Sequence, residues 1–348
     1  MGWHTSSLKR AFYQQFPKVD LHRHLEGSLR IETLLELAVS HGIKTSTKDE
    51  FYSLVQVQQG DPLTFSNFLS KFQPLRLFYR SPEVISRVAY EAIEDAAKDN
   101  VRYLELRFTP VALSRVEGFP LGDVMDWVAE SAQKASADFN IHTRLIASVN
   151  RHESPKLAEE VAQLTIDRVT KGFVGLDLAG NEAEFSAKPF APIFKEAKEN
   201  GLAITIHAGE WGGAENVREA IEDLNADRIG HGVRVLESDH IVSLARERKT
   251  PFEVCITSNY QTGAVPALLS HPLTRMMMAD LTVTINTDDP SISKINLSNE
   301  YMIACDDLSL PQETLADTIL TAADSAFLPP SERKNILDLL KQELQKIV

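Results

Sequence analysis

The sequence predicts an α/β protein in which eight β-strands alternate with helices and close into a barrel. Three observations carry this. Amphipathic helical stretches alternate with short apolar or β-branched runs until eight runs have accumulated, and alternating βα units imply a parallel sheet. The 348 residues accommodate eight such units, as a (β/α)8 TIM barrel requires. No glycine-rich G-x-G-x-x-G turn follows a strand, which counts against the open doubly wound sheet. The expected arrangement is one domain spanning 1–348, with an insertion after strand 1 and extra C-terminal helices.

The first strand runs through Val19-Asp20-Leu21 into His22-Arg23-His24 and stops at Gly27. Residues two apart on a strand share a face. His22 and His24 therefore present paired imidazoles, while Leu21, Arg23 and Leu25 point the other way. A helix follows over 28–42, where Ile31, Leu34, Leu35 and Ala38 recur at three and four and Gly42 follows the end. The insertion, 43–80, carries Phe65, Phe68, Leu69 and Phe72 at helical spacing. That stripe reads either as core packing or as a helix covering a pocket mouth. Val84, Val88, Ala92 and Ala96 then mark a helix leading to a strand over 101–108. Helices over 121–137, 157–169, 189–199, 214–224, 238–248 and 266–279 lead to strands over 142–148, 173–178, 203–207, 228–231, 252–255 and 281–286. Two helices remain, from about Pro311 and from Ser331. The second places Ile336, Leu337, Leu340, Leu344 and Ile347 on one face, so it should pack against the barrel.

A hydrophobic fraction of 43% and a charged fraction of 24% are those of a soluble globular protein. The net charge of −13 argues against nucleic acid or an anionic membrane as partner, since either needs a basic stripe. It leaves room for a small molecule in a closed pocket. Cys255 and Cys305 form no spaced motif, so neither a disulfide framework nor a thiolate metal site is expected. No apolar run suits a signal peptide or a bilayer span, and the expected location is cytoplasmic. The sequence leaves the oligomeric state open.

In a barrel, function lies at the C-terminal ends of the strands. Strand one ends in His22-Arg23-His24, strand five in His207-Ala208-Gly209-Glu210, strand six in Gly230-His231-Gly232 and strand eight in Thr287-Asp288-Asp289-Pro290. Imidazoles and a carboxylate converging on one rim, with an open position, describe a catalytic metal site. Zn is the first choice, with Fe(II), Co or Mn as alternatives, and such an ion brings the pKa of bound water towards about 7. Adjacent carboxylates cannot both face one point, so Asp288 and Asp289 should have separate jobs. Glu210 and His231 would supply acid–base chemistry around the metal. Glu105 and Arg107 alternate on one face of strand two and read as a buried ion pair bracing the interior, or as substrate contacts. Asp177 reads as a partner to a ligand or as a plain strand-end hydrogen bonder. His4, His41, His142, His152, His240 and His271 are expected mostly on the surface, at caps or in packing.

At these residues the chain resembles the adenosine/adenine deaminase family of metal-dependent barrel hydrolases. The matching pieces, in family order, are His22-Arg23-His24-Leu25-Glu26-Gly27-Ser28, Asp177-Leu178-Ala179-Gly180-Asn181-Glu182, His207-Ala208-Gly209-Glu210, Arg228-Ile229-Gly230-His231-Gly232, Thr257-Ser258-Asn259 and Asn286-Thr287-Asp288-Asp289-Pro290. The resemblance implies one Zn per chain on His22, His24, His207 and Asp288. It implies that Glu210 protonates purine N1 as hydroxide attacks C6, and that His231 orients and deprotonates the attacking water. Asp289 would bond N7, the backbone N–H of Gly180 would meet N3, and His24 would also border the substrate. Phe65, Phe68, Leu69 and Phe72 match the helix that gates the pocket. The implied substrate is an aminopurine nucleoside, adenosine or 2′-deoxyadenosine, converted to inosine and ammonia; the alternatives are deamination of adenine or 6-amino-6-deoxyfutalosine by the same site chemistry and, more remotely, a non-catalytic purine-binding barrel. Glu26 stands where many adenosine deaminases carry an Asp on the ribose 5′-hydroxyl. A Glu there also resembles the adenine deaminases, while the stretch 258–265 resembles bacterial adenosine deaminases. Glu26 should repel a 5′-phosphate or a carboxylate, which disfavours AMP and 6-amino-6-deoxyfutalosine.

Overall fold

Eight strands lie in one parallel sheet in sequence order: β1 (Lys18–His24), β2 (Val101–Phe108), β3 (His142–Asn150), β4 (Phe173–Ala179), β5 (Ala203–Ala208), β6 (Arg228–His231), β7 (Phe252–Val254) and β8 (Val283–Ile285). The structure is a computed structural model and describes residues 7–42 and 47–347. The first four positions of the insertion expected over 43–80 thus lie outside the described residues. Strand order without crossovers is the signature of the (β/α)8 barrel. The sheet closes between β8 and β1 through a single parallel bridge, Arg23 to Asp288. There the Asp288 N–H donates to the His22 carbonyl at 2.7 Å, and the His24 N–H donates to the Asp288 carbonyl at 2.8 Å. The Asn286 side chain accepts the Leu21 N–H at 2.8 Å. The seam of the barrel is thus built on a residue expected to hold a metal.

Several helices are shorter than the periodicity suggests. The helix expected over 28–42 is Ile31–Ser40. Ser28 is spent on the preceding turn, where its hydroxyl donates to the His24 carbonyl at 2.6 Å and accepts from Arg23 Nε at 3.2 Å. The aromatic stripe spans two helices, Phe65–Ser70 and Phe72–Arg76. Pro74 has no N–H to give the Ser70 carbonyl, so the first helix cannot run through it. The stretch 266–279 divides into a 3₁₀ turn, Leu268–Ser270, and a helix, Leu273–Met278, entered from Pro272. Gln312–Asp324 and Pro330–Leu344 form the C-terminal helices. In the second, Ile336, Leu340 and Leu344 are buried, and Leu337 and Ile347 pack partly against the core.

The barrel interior corrects one expectation. Glu105 and Arg107 are both fully buried, but they do not pair with each other. Side chains two apart on a strand stand parallel in successive layers, about 7 Å apart, so each reaches across to another strand. Glu105 pairs with Arg228 of β6 and accepts the Tyr103 hydroxyl at 2.8 Å. Arg107 donates to Glu253 of β7 at 2.8 Å and lies 3.6 Å from Asp177 of β4. A network of charges thus lies beneath the rim. Among the described residues no helix is long and apolar enough to cross a membrane.

Candidate active site

The C-terminal rim brings the expected residues together. His24 Nε2 lies 3.3 Å from His207 Nε2, and Asp288 Oδ1 lies 3.3 Å from His22 Nε2 and 3.4 Å from His24 Nε2. An ion held tetrahedrally at about 2.0–2.1 Å separates its ligands by about 3.3–3.4 Å, so these spacings fit one metal ion. His22 Nε2 is buried without a hydrogen-bond partner, and a lone pair left so is costly unless something takes it. The residues present therefore fit a metal. Cys255 also approaches His231 and Asp288, and burial drives its thiol pKa well up. Asp288 and His231 adopt left-handed backbone, φ +63° and +61°. Non-glycine residues are rare there, and each such residue costs about 1–3 kcal/mol.

Two of the three candidate ligand imidazoles are oriented from behind. Glu253 Oε2 takes His22 Nδ1 at 2.7 Å, and Asp177 Oδ1 takes His207 Nδ1 at 2.9 Å. Arg107 touches both carboxylates. Burial would raise Asp177, but His207 and Arg107 outweigh it and hold the carboxyl well below its ordinary range. Such carboxylate–imidazole pairs fix the ring tautomer and aim the other nitrogen at the metal. Asp177 is thus a partner to a candidate ligand. No local pattern marks Glu253 for this role, since on a short inward-facing strand it looks like any buried polar residue.

Glu210 stands beside the metal position, its Oε2 3.5 Å from His231 Nε2, while Oε1 accepts the Thr262 hydroxyl at 3.2 Å. Burial, then the Asp288 and Glu182 carboxylates, raise its pKa well above the ordinary value. Glu182 had no assigned role beyond its place in a motif. It accepts the backbone N–H groups of Gly209, Glu210 and Trp211 at 2.8, 2.6 and 2.7 Å. One carboxylate thus holds the whole turn that presents Glu210. His271 is buried and bonds Asn259, which bonds His231. His152 and His240 are exposed, His41 and His142 partly so, and His4 lies outside the described residues.

A pocket opens from this cluster, bordered by His24, Glu26, Gly180, Asp289, Phe68 and Arg76. Leu69 and Phe72 also line it. Phe65 instead packs on Trp211, ring centroids 3.8 Å apart. At the opposite end of the barrel a larger cleft of about 1230 Å³ contains none of the rim residues, so the chemistry and not the size selects the site. In the pocket Asp289 Oδ1 and Glu26 Oε2 are buried without partners. Burial, then Asp288 and Glu26, push Asp289 well above the ordinary carboxylate range. The other Glu26 oxygen accepts the Thr109 N–H at 2.7 Å.

Burial raises Glu26 from 4.5 to about 7, which makes stability depend on pH. Below 4.5 both folded and unfolded states keep the proton. Between 4.5 and about 7 only the folded state does, so stability falls as pH rises, with the full loss present above 7. Glu26→Gln removes this term. The variant is expected to gain about 3 kcal/mol relative to the parent between pH 4.5 and pH 8. Denaturant unfolding of both proteins at the two pH values checks it, and an equal difference at both would refute it.

The chain matches the family model for adenosine deaminase over residues 17–343. It is 36% identical over 314 residues to the adenosine deaminase of Clostridium perfringens, covering 89% of this chain and 94% of that protein. It is 35% identical over 324 residues to that of Klebsiella pneumoniae, covering 92% and 96%. Among solved structures, an amidohydrolase from Burkholderia ambifaria with bound Zn superposes with a TM-score of 0.89 at 27% identity, covering 100% and 95%. Arabidopsis ADAL complexed with IMP gives 0.86 at 27%, covering 97% and 99%. The adenine deaminase of Arthrobacter aurescens gives 0.87 at 26%, covering 94% and 99%. The rim geometry and the length of these matches agree, and the chain belongs to the adenosine deaminase family, a family of metal-dependent hydrolases.

Proposed function

We propose that this protein hydrolyses the exocyclic amine of an aminopurine nucleoside, adenosine or 2′-deoxyadenosine, to inosine and ammonia, with one Zn held by His22, His24, His207 and Asp288. One observation carries the reading. Among the buried polar atoms that lack partners are His22 Nε2, Glu26 Oε2 and Asp289 Oδ1, and these three belong to residues assigned to the metal, the ribose end and the purine. When bound, Zn supplies the Lewis acidity that makes water nucleophilic near neutral pH. The protein's own groups do the rest. Glu210, its pKa raised by burial and the carboxylates of Asp288 and Glu182, carries a proton and gives it to purine N1. That disrupts the ring π-system and makes C6 electrophilic. Asp289, also raised by burial, donates to N7, an acceptor. The backbone N–H of Gly180 meets N3. His231 and Asp288 flank the attacking water, and collapse at C6 expels ammonia. Glu26 Oε2 faces the 5′-hydroxyl.

Phe65, Phe68, Leu69 and Phe72 cover the mouth. An aromatic pair contributes about 0.5–1.5 kcal/mol beyond area burial, so Phe65→Ala, which removes the Trp211 contact, is expected to raise KM about 2- to 10-fold. Steady-state kinetics check this, and an unchanged KM would end the role of Phe65.

A nucleotide is the second reading. Arg76 borders the pocket with Glu26, its Nε is buried without a partner, and its charge lowers Glu26. The IMP-bound Arabidopsis structure points the same way. Glu26 opposes it by charge. Initial rates on adenosine, 2′-deoxyadenosine, adenine, AMP, N6-methyl-AMP and 6-amino-6-deoxyfutalosine, read by ultraviolet absorbance, decide between them. Adenosine fastest supports the nucleoside reading; AMP or N6-methyl-AMP fastest replaces it with the nucleotide one; adenine or the futalosine fastest overturns both.

A further inference from the structure

His231 Nε2 faces the site, and its other nitrogen faces a short chain of buried groups. The chain starts at a donor whose direction cannot change. The backbone N–H of Leu273 donates to His271 Nδ1 at 3.1 Å. A nitrogen that accepts holds no proton, so in the neutral ring of His271 the proton sits on Nε2. Burial, then Arg275, lower His271 to about 3, which keeps that ring neutral. Its Nε2–H lies 3.3 Å from Asn259 Oδ1 and donates to it. That contact fixes which way the Asn259 amide points. The Asn259 Nδ2 group then meets His231 Nδ1 at 3.1 Å and donates in turn. His271 is 4% exposed and Asn259 fully buried, which keeps water from breaking the order.

We infer that Asn259 and His271 are positioning residues that lock His231 in the tautomer protonated on Nε2, so that His231 enters the reaction as a hydrogen-bond donor and not as the base. An Nε2 that already carries its proton cannot accept another there. It points that N–H into the space beside Glu210 Oε2, at 3.5 Å, and Asp288 Oδ2, at 4.0 Å. An N–H so placed stabilises negative charge gathering on the attacking oxygen. The proton released when the water O–H bond breaks goes to Asp288 Oδ2. The role within catalysis rests on the deaminase reading, whereas the tautomer does not.

The test is nitrogen NMR of the metal-loaded, full-length protein labelled with ¹⁵N-histidine, with His231 assigned by its loss in His231→Gln. The expected spectrum has a protonated Nε2 and an unprotonated Nδ1 on His231. A protonated Nδ1 overturns the inference. Asn259→Asp replaces the donor with an acceptor of the same shape and is expected to move the proton to Nδ1. It is also expected to lower kcat more than about 10-fold with KM changed less than about 3-fold, a split characteristic of an interaction made in the transition state. His271→Phe, which frees the amide to turn, is expected to give a mixture of tautomers. If Asn259→Asp folds and leaves the tautomer unchanged, the chain does not set it. The spectrum needs no substrate, so failure of the substrate assignment and failure of the tautomer inference are separate outcomes.

Discussion

Glu210→Gln is expected to lower kcat by about 10²- to 10⁴-fold, the range contributed by a positioned acid, while leaving the metal content unchanged. The amide matches the carboxyl in size and still accepts the Thr262 hydroxyl, but it has no acidic proton to give N1. The unfolding temperature should not fall, because the parent group is buried among the Asp288 and Glu182 carboxylates and Gln removes that conflict. The pH profile adds a signed prediction. Because Glu210 is raised, the parent's activity should decline as pH rises through its folded pKa, and this limb should be missing from the residual activity of the variant. Single-turnover rates with metal analysis check both. Activity within about 10-fold of the parent would assign the proton to another group.

Gly27→Ala should be nearly as damaging. A Cβ at this position would stand 1.8 Å from Asp289 Oδ1 and 2.4 Å from Asp289 Cγ, separations that no packing tolerates. Neither side can withdraw freely, because the Gly27 carbonyl accepts the Ser291 N–H at 2.8 Å just beyond Asp289. The methyl must drive Asp289 from the pocket. Leaving the buried N7 acceptor without its donor costs about 1–3 kcal/mol, so KM should rise about 5- to 150-fold. Asp289→Ala should match this without the strain, and the unfolding temperature should fall only in Gly27→Ala. A normal KM in both variants would remove Asp289 from the substrate site.

Much of this site was legible because the barrel converts sequence into position by a simple rule. Each strand delivers its last residues to one rim, so His22, His24, His207, His231 and Asp288 could be gathered there from chain order alone. Period-two alternation also put His22 and His24 side by side, as their ring centroids 5.2 Å apart show. Helix ends were less legible, since Ser28 and Pro74 act through hydrogen bonds that hydrophobic periodicity does not carry. The pairing of Glu105 and Arg107 was misread for a related reason. Their spacing gave the shared face correctly, but the curvature of the closed sheet, which the spacing does not contain, chose their partners.

By itself, then, the sequence determined the alternation of strands and helices and the chemical types on the rim. Both are set by short-range periodicity and by the order of the chain. Only the tertiary structure decided what stands behind those groups. Glu253 orients His22 across 231 positions, Asp177 orients His207 across 30, and Glu182 holds the Glu210 turn across 28. Asn259 and His271 meet His231 through a helix and a loop beyond β7. A lone buried carboxylate or amide has no local pattern that announces its partner. Its role appears only when barrel closure removes water and leaves one neighbour within hydrogen-bonding reach.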